Sequence, residues 1–233
     1  LLIPKASAAP TVVDLEALRD GLVWEALPTT AFCDITSIAV GNEPSPPSNG
    51  DQRTFIKFDI GSLVPSGATV RRAKLLLYIQ SFGSYAAGNV EVRSVSASWT
   101  CTTPNTITWN TQPAFSATNS GEMTIGSGTQ ETTGEQPGDG CPTTDNIFCS
   151  VDVTALVAGW VAGSTTNNGM ALLLDAQAAT NEISIRSDEG AAIATEGTRN
   201  DGHPKLVITY ELIVGDSDGG GGGSPAGLGG NFQ

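Results

Sequence analysis

Histidine is almost missing from this chain: His203 is the only one among 233 residues, and charged residues supply only 15% of the positions. A lone imidazole leaves general-base chemistry a single candidate, and its place directly before Pro204 and the last apolar run fits a structural or solvent-facing role better. No G-x-S-x-G elbow, H-E-x-x-H, P-loop or dinucleotide fingerprint occurs, so hydrolysis would have to rest on carboxylates alone. No C-x-x-C knuckle occurs either, which removes the usual zinc arrangements. Basic residues are scarce as well, 11 against 24 acidic for a net charge of -13. Repulsion then opposes binding to nucleic acid or to an anionic membrane surface. No apolar run approaches the roughly 18 residues of a membrane span.

Glycine, serine, threonine and asparagine fill the polar positions instead, with 28 glycines in all. β-Branched threonine suits strands, and glycine and asparagine suit tight turns, the habit of an extracellular β-rich protein. Four cysteines, Cys33, Cys101, Cys141 and Cys149, sit among Thr, Pro, Asn and Gly. Two disulfides in an oxidising compartment are expected, Cys141 with Cys149 and Cys33 with Cys101; free buried thiols are the alternative. The first ten residues contain Ala6-Ser7-Ala8, which reads equally as the stump of a signal peptide or as part of a mature arm.

From about residue 50 onward, short period-2 strands dominate. In TFIKFDI, Ile56, Phe58 and Ile60 face one way and Phe55, Lys57 and Asp59 the other, and in KLLLYIQ, Leu75, Leu77 and Ile79 alternate with Leu76 and Tyr78. NVEVRSV, TITWN, FCSVDV, MALLLDA, EISIRS and PKLVITYELIV follow. Seven or more such strands, punctuated by Gly, Pro and Asn, predict an all-β, jelly-roll-like β-sandwich. One segment departs from the rhythm: Val153, Leu156, Val157 and Trp160 recur at helical spacing, with Asp152 or Thr154 as cap and Gly163 as stop. A short helix is expected there, with Trp160 as its buried anchor. Residues 111–146 read as a long, polar, turn-rich loop.

The two ends differ from the middle. Residues 1–30 form an apolar N-terminal arm, helical from a cap at Asp14 or extended, whose Leu1, Leu2, Ile3, Val12, Val13, Leu15 and Leu18 need a partner surface in this chain or another. Residues 214–233 form a glycine-rich C-terminal tail, either a spacer or a segment held by a neighbouring subunit. The sandwich is expected to occupy residues 31–213 between them.

The strings RTFIKFDIGSLVPSGATVRRAKLLLYI, VEVRSVSASWT, ITWNTQPAF, VDVTALVAGWVAGSTTNNGMALLL, ISIRSDEG and HPKLVITYE together resemble the DNRLRE-domain family of secreted and surface proteins, although the namesake hexapeptide is absent. The resemblance implies a non-catalytic jelly-roll-like sandwich attached to extracellular enzymes, adhesins or wall-associated proteins. It also implies carbohydrate binding in some members, including binders of anionic algal polysaccharide. Trp99 and Trp109 fall on core positions of the family.

No motif demands a cofactor. A structural calcium is the one candidate, with Asp188, Glu189 and Asp51 as its oxygen ligands. The acid pairs Asp188 with Glu189, Glu131 with Glu135 and Asp216 with Asp218 otherwise read as solvated surface or, at a suitable separation, as a glycosidase pair. Tyr85, Trp99 and Trp109 are the aromatics available to stack on sugar rings. An acidic chain disfavours an anionic glycan, which leaves neutral polysaccharide. The leading expectation is a non-catalytic extracellular or cell-surface subunit, joined head-to-tail to copies of itself through the arm as donor strand. A carbohydrate-binding module is the alternative.

Overall fold

The computed structural model describes residues 9–43, 50–83, 88–101, 107–127, 140–175, 181–190 and 201–212. Leu1, Leu2, Ile3, Tyr85, Glu131, Glu135, Asp216, Asp218 and the glycine-rich tail lie outside these residues. Among the described residues there are eleven strands and one α-helix. They are β1 (Thr11–Glu16), β2 (Arg19–Trp24), β3 (Ser37–Glu43), β4 (Gly50–Lys57), β5 (Thr69–Ser81), β6 (Val90–Ser94), β7 (Gly121–Met123), β8 (Ile147–Asp152), α1 (Thr154–Val161), β9 (Met170–Leu174), β10 (Glu182–Arg186) and β11 (Lys205–Glu211). Hydrogen bonding runs β1-β11-β5-β10-β3-β4-β9-β6-β7, with β2 added to β4 and β8 added to β5. Each of these pairings is antiparallel. The sheet curls on itself as an all-β sandwich.

Period-2 alternation decides which side chains meet. Leu75, Leu77 and Ile79 of β5, Ile56 of β4, Val90 and Val92 of β6, Leu172 of β9 and Ile185 of β10 all point into one core. The alternate positions are not surplus: Phe55, Ala171 and Leu173 form a second apolar cluster with Val23, Val95, Ile107 and the Cys33–Cys101 disulfide, covered by Trp99, Trp109 and Phe115. Leu76, Tyr78 and Phe148 form a third. A second disulfide joins Cys141 to Cys149.

The expected arm is corrected by the pairing of its own backbone. β1 lies antiparallel to β11 with Leu15 opposite Leu206, and β2 lies antiparallel to β4 with Leu22 opposite Thr54. Leu15 and Leu22 are buried in the main core, whereas Val12 and Leu18 are each 49% exposed, and Val13 packs partly against the core. Residues 11–24 of the arm are therefore strands of this chain's own sheet, and the sandwich begins at Thr11 rather than at residue 31. Both segments are strands, which settles the open choice between helix and extended chain.

TITWN is a second correction. Its described part is no strand: Trp109–Thr111 form a 3-10 turn, because the Thr108 hydroxyl accepts from the Thr111 backbone N–H at 3.3 Å and the Thr111 hydroxyl accepts from the Thr108 N–H at 3.0 Å. This reciprocal cap offers the backbone more than an edge strand would.

Helix α1 buries Leu156, Val157 and Trp160 in the main core. Its first turn is capped from outside, the Asp152 carboxylate accepting from the Thr154 N–H at 2.9 Å. Gly163, at φ +69°, ends it in the left-handed region that glycine enters without a steric penalty.

Candidate functional site

The chain leaving α1 runs Gly163-Ser164-Thr165-Thr166-Asn167-Asn168-Gly169 before entering β9. Seven uncharged residues in a row would normally read as a plain connector. Here several hydrogen bonds fix the path. The Gly159 carbonyl accepts from the Ser164 and Thr165 N–H groups at 3.0 and 3.3 Å. Asn167 Nδ2 donates to the Phe58 carbonyl at 2.9 Å, and its Oδ1 accepts from the Gly169 N–H at 3.1 Å. Trp99 Nε1 donates to the Asn168 carbonyl at 2.8 Å, and the Val95 N–H donates to the Gly169 carbonyl at 3.1 Å.

This loop separates two clefts that share one wall. On one side a cleft of about 330 Å³ is lined by Ile60, Gly61, Val64, Ser66, Val161 and Asn167, together with Trp160. On the other a cleft of about 250 Å³ is lined by Ser94, Val95, Ser96, Thr165, Thr166 and Asn168, again with Trp160. Neither lining contains an ionisable side chain. What lines them is one indole, a few aliphatic groups, and hydroxyls and amides that both donate and accept hydrogen bonds. The first volume lies at the lower end of the roughly 300–1,000 Å³ of small-ligand pockets. A third groove, of about 320 Å³ beside Leu18 and Leu63, is different in kind, because Asp14, Glu16 and Asp59 line it.

Residues 11–209 match the model of carbohydrate-binding module family 96. The chain belongs to that family. Its DNRLRE-like strings are compatible with this membership, and two disulfides and a carbohydrate-binding module both fit an extracellular protein. Among curated proteins none matches the chain significantly. No helix among the described residues is long and apolar enough to cross a membrane.

Within the module, Trp99 and Trp109, two of the aromatics singled out from sequence, are placed as covers rather than platforms. Trp99 meets Phe55 edge-on at 5.9 Å between ring centroids, and Phe115 lies 6.1 Å from the same ring. Trp109 carries the Arg53 guanidinium 4.4 Å above its ring, so one of its faces is occupied. Arg53 also donates from Nη1 to Gln112 Oε1 at 3.1 Å, and burial beneath these groups lowers its pKa. Trp160, expected only as an anchor, is the aromatic that both clefts reach. The sequence signal was the uncharged hydroxyl and amide run directly after its helix.

His203 is structural: it is buried and its Nε2 hydrogen-bonds the Gly190 carbonyl at 2.6 Å. Lys205 lies beside it, buried and donating to Glu16 Oε1 at 2.8 Å and Asp201 Oδ2 at 2.9 Å.

Of the proposed calcium ligands, Asp51 lies on β4 and accepts from Asn42 Nδ2 at 3.2 Å. Asp188 and Glu189, on the turn after β10, meet Asp20 of β2, which sequence reasoning passed over: Asp188 through its backbone N–H and Glu189 through its side chain. Asp20 has no exposed surface, and its Oδ2 accepts from the Asp188 backbone N–H at 2.7 Å. Burial, joined by the charges of Glu189 and Asp188, pushes the Asp20 carboxyl up to about 8. Burial also raises Asp188 and Glu189. Asp20 was hidden because Arg19-Asp20-Gly21 reads as a polar, exposed stretch.

Proposed function

We propose that this carbohydrate-binding module holds a neutral glycan, without catalysis, in the paired clefts on either side of Trp160. One observation carries this: in a chain with a net charge of -13, both clefts sharing the indole are free of ionisable groups. Sugar hydroxyls are matched by side chains that donate and accept at once, and the edge that the mostly buried Trp160 indole shows to both clefts, with its aliphatic flanks, offers apolar contact. A polyanionic glycan would gain no cation in either cleft and would meet the field of the whole acidic chain.

The buried acids do not favour a glycosidase. Asp20 is fully enclosed, so its carboxyl cannot reach a glycosidic oxygen, and a hydrolytic acid must lie within hydrogen-bond range of that atom.

The test is affinity electrophoresis and calorimetry of the chain against soluble neutral polymers (β-glucan, xylan, galactomannan) beside a polyuronate. Saturable binding to at least one neutral polymer is expected, weakened about three- to tenfold by Thr165→Ala, which removes an exposed hydroxyl of the smaller cleft. Binding confined to the polyuronate, or unchanged in Thr165→Ala and Ser96→Ala alike, would overturn the assignment.

A further inference from the structure

Among the described residues two acids have no exposed surface, Asp20 and Asp201, and they are compensated differently. Asp201 accepts from the Lys205 ammonium at 2.9 Å and from the His203 backbone N–H at 3.0 Å. With Glu16 and His203 it is also the one described group whose ligand atoms converge, within 4.8 Å, and the same ammonium already serves it. Asp20 keeps other company. Its Oδ2 accepts from the Asp188 backbone N–H at 2.7 Å, while its Oδ1 is buried without a donor. Its side chain is hydrogen-bonded to that of Glu189, whose buried Oε2 likewise has no donor. Ionised carboxylate oxygens only accept, so this bond exists only while one of the two acids keeps its proton.

The surrounding charges favour that proton. Those acting on Asp20 itself are Glu189 and Asp188, both negative. Asp34 adds negative charge at Glu189, and Glu16 of β1 adds it at Asp188. The basic groups nearby are Arg19, His203 and Lys205, which act on Asp188, and Arg186 of β10, which flanks Gly190. Lys205 is committed to Glu16 and Asp201, and His203 Nε2 to the Gly190 carbonyl at 2.6 Å. The turn is thus anchored at both ends, since the Ser187 hydroxyl also donates to the Ile35 carbonyl. Its middle, Asp188 and Glu189, is fastened to β2 through Asp20. Both residues are half-buried, which leaves the proton a route to solvent.

We propose that Asp20 and Glu189 share one proton, and that this proton latches the turn following β10 to β2 in acid and neutral solution and releases it in alkali. Once it leaves, two negative charges face each other out of water, and separation of the turn from β2 relieves them. The folded chain holds the Asp20 proton up to about 8, whereas the unfolded chain releases it at about 3.9. Between these values the folded state carries one proton more, so the stabilisation is fully present below the window and is lost as pH rises through it. The latch is independent of glycan binding.

The experiment follows thermal unfolding of the full chain from pH 5 to pH 9, beside Asp20→Asn. The amide of that variant donates to Glu189 while its oxygen still accepts from the Asp188 N–H, so the bond survives without a titrating proton. The parent is expected to lose about 5 °C or more of Tm between pH 5 and pH 8, and Asp20→Asn less than about half of that. Hydrogen exchange of residues 187–190, corrected for the intrinsic rate, is expected to quicken about tenfold between pH 7 and pH 9 in the parent and less than about twofold in the variant. If Asp20→Asn does not fold, Glu189→Gln takes its place, since that side chain is half-buried and its amide donates to Asp20 in the same way. A parent Tm that does not fall, or that falls equally in the variant, would overturn the shared proton. Exchange at the turn that ignores pH would overturn the latch.

Discussion

Trp99 donates its indole N–H to the carbonyl of Asn168 at 2.8 Å, joining the cover of the second apolar cluster to the loop that walls the smaller cleft. The bond links two regions that differ in purpose, since Trp99 packs on Phe55 while Asn168 faces the cleft. Trp99→Phe keeps most of the packing and removes the donor. A net hydrogen bond is worth about 0.5–1.5 kcal/mol, so the loop loses that much restraint. Glycan affinity is expected to fall about two- to tenfold while Tm drops by only a few degrees, a separation that calorimetry and thermal unfolding of one variant will reveal.

Charge supplies an independent check on the ligand class. Because the clefts beside Trp160 lack ionisable groups, binding of a neutral glycan involves no ion pair to be screened. Its Kd is expected to change less than about twofold between about 0.02 M and 0.5 M salt. A steep loss of affinity with salt, measured on the same polymer, would point to binding at a different, charged surface of the chain.

The two disulfides close loops of very different length, 68 residues for Cys33–Cys101 and 8 for Cys141–Cys149. Loop-closure entropy alone gives about 4 kcal/mol for the first and about 2.5 kcal/mol for the second. Paired serine substitutions at Cys33 and Cys101 are expected to lower Tm more than those at Cys141 and Cys149. Equal losses would mean that residual structure in the unfolded chain, rather than loop length, sets the effect.

Gly21 of β2 runs directly beneath the longer disulfide. A Cβ there would stand 2.6 Å from Cys101 Sγ, and a cross-linked sulfur cannot swing away as the end of a free side chain does. Gly21→Ala is expected to cost about 1–3 kcal/mol in denaturant unfolding, from overpacking. The same substitution combined with serine at Cys33 and Cys101 should cost less than the sum of the two changes, because the shared sulfur is gone.

How much of this was legible depends on what each residue's signal competes with. Leu75, Leu77 and Ile79 against Leu76 and Tyr78 gave the two faces of β5 correctly, because both faces are buried and the period is unaffected by which sheet covers them. The helix at Trp160 was legible from its spacing. β1 and β2 were ambiguous because a short apolar run carries no period of its own, and only pairing with Leu206 and Thr54 decides it. Trp109 misled for the opposite reason: its strand-like neighbours Ile107 and Thr108 lose to a local Thr108–Thr111 cap. Asp20 was invisible, since its meaning depends on Glu189, which is 169 positions later in sequence and is brought alongside only by the fold.

Asp152 gives the module an acid limit whose direction follows from its contacts. Burial alone would raise its pKa, but hydrogen bonds from Thr154 and from Lys74, whose ammonium lies 3.1 Å away, outweigh burial and hold the carboxyl below its usual value. A depressed folded pKa means that the folded state binds the proton less readily than the unfolded chain. The stabilisation is therefore fully present above the unfolded value of about 3.9, and it is lost as pH falls through the folded one. Asp152 also caps α1 and faces Lys74, which is 1% exposed. Asp152→Asn keeps a capping oxygen and removes the charge. At neutral pH it is expected to lower Tm by about 2–4 °C, a modest loss because the carboxylate is half-exposed and partly screened. Below about pH 4 the gap between variant and parent should start to narrow, as the unfolded chain takes up the proton, and it closes as pH falls through the depressed folded value, where the parent's carboxylate is protonated too. Unfolding curves of both chains at intervals from pH 7 to pH 3 decide it, and a gap that stays constant over that range would mean the carboxylate charge carries none of the stability.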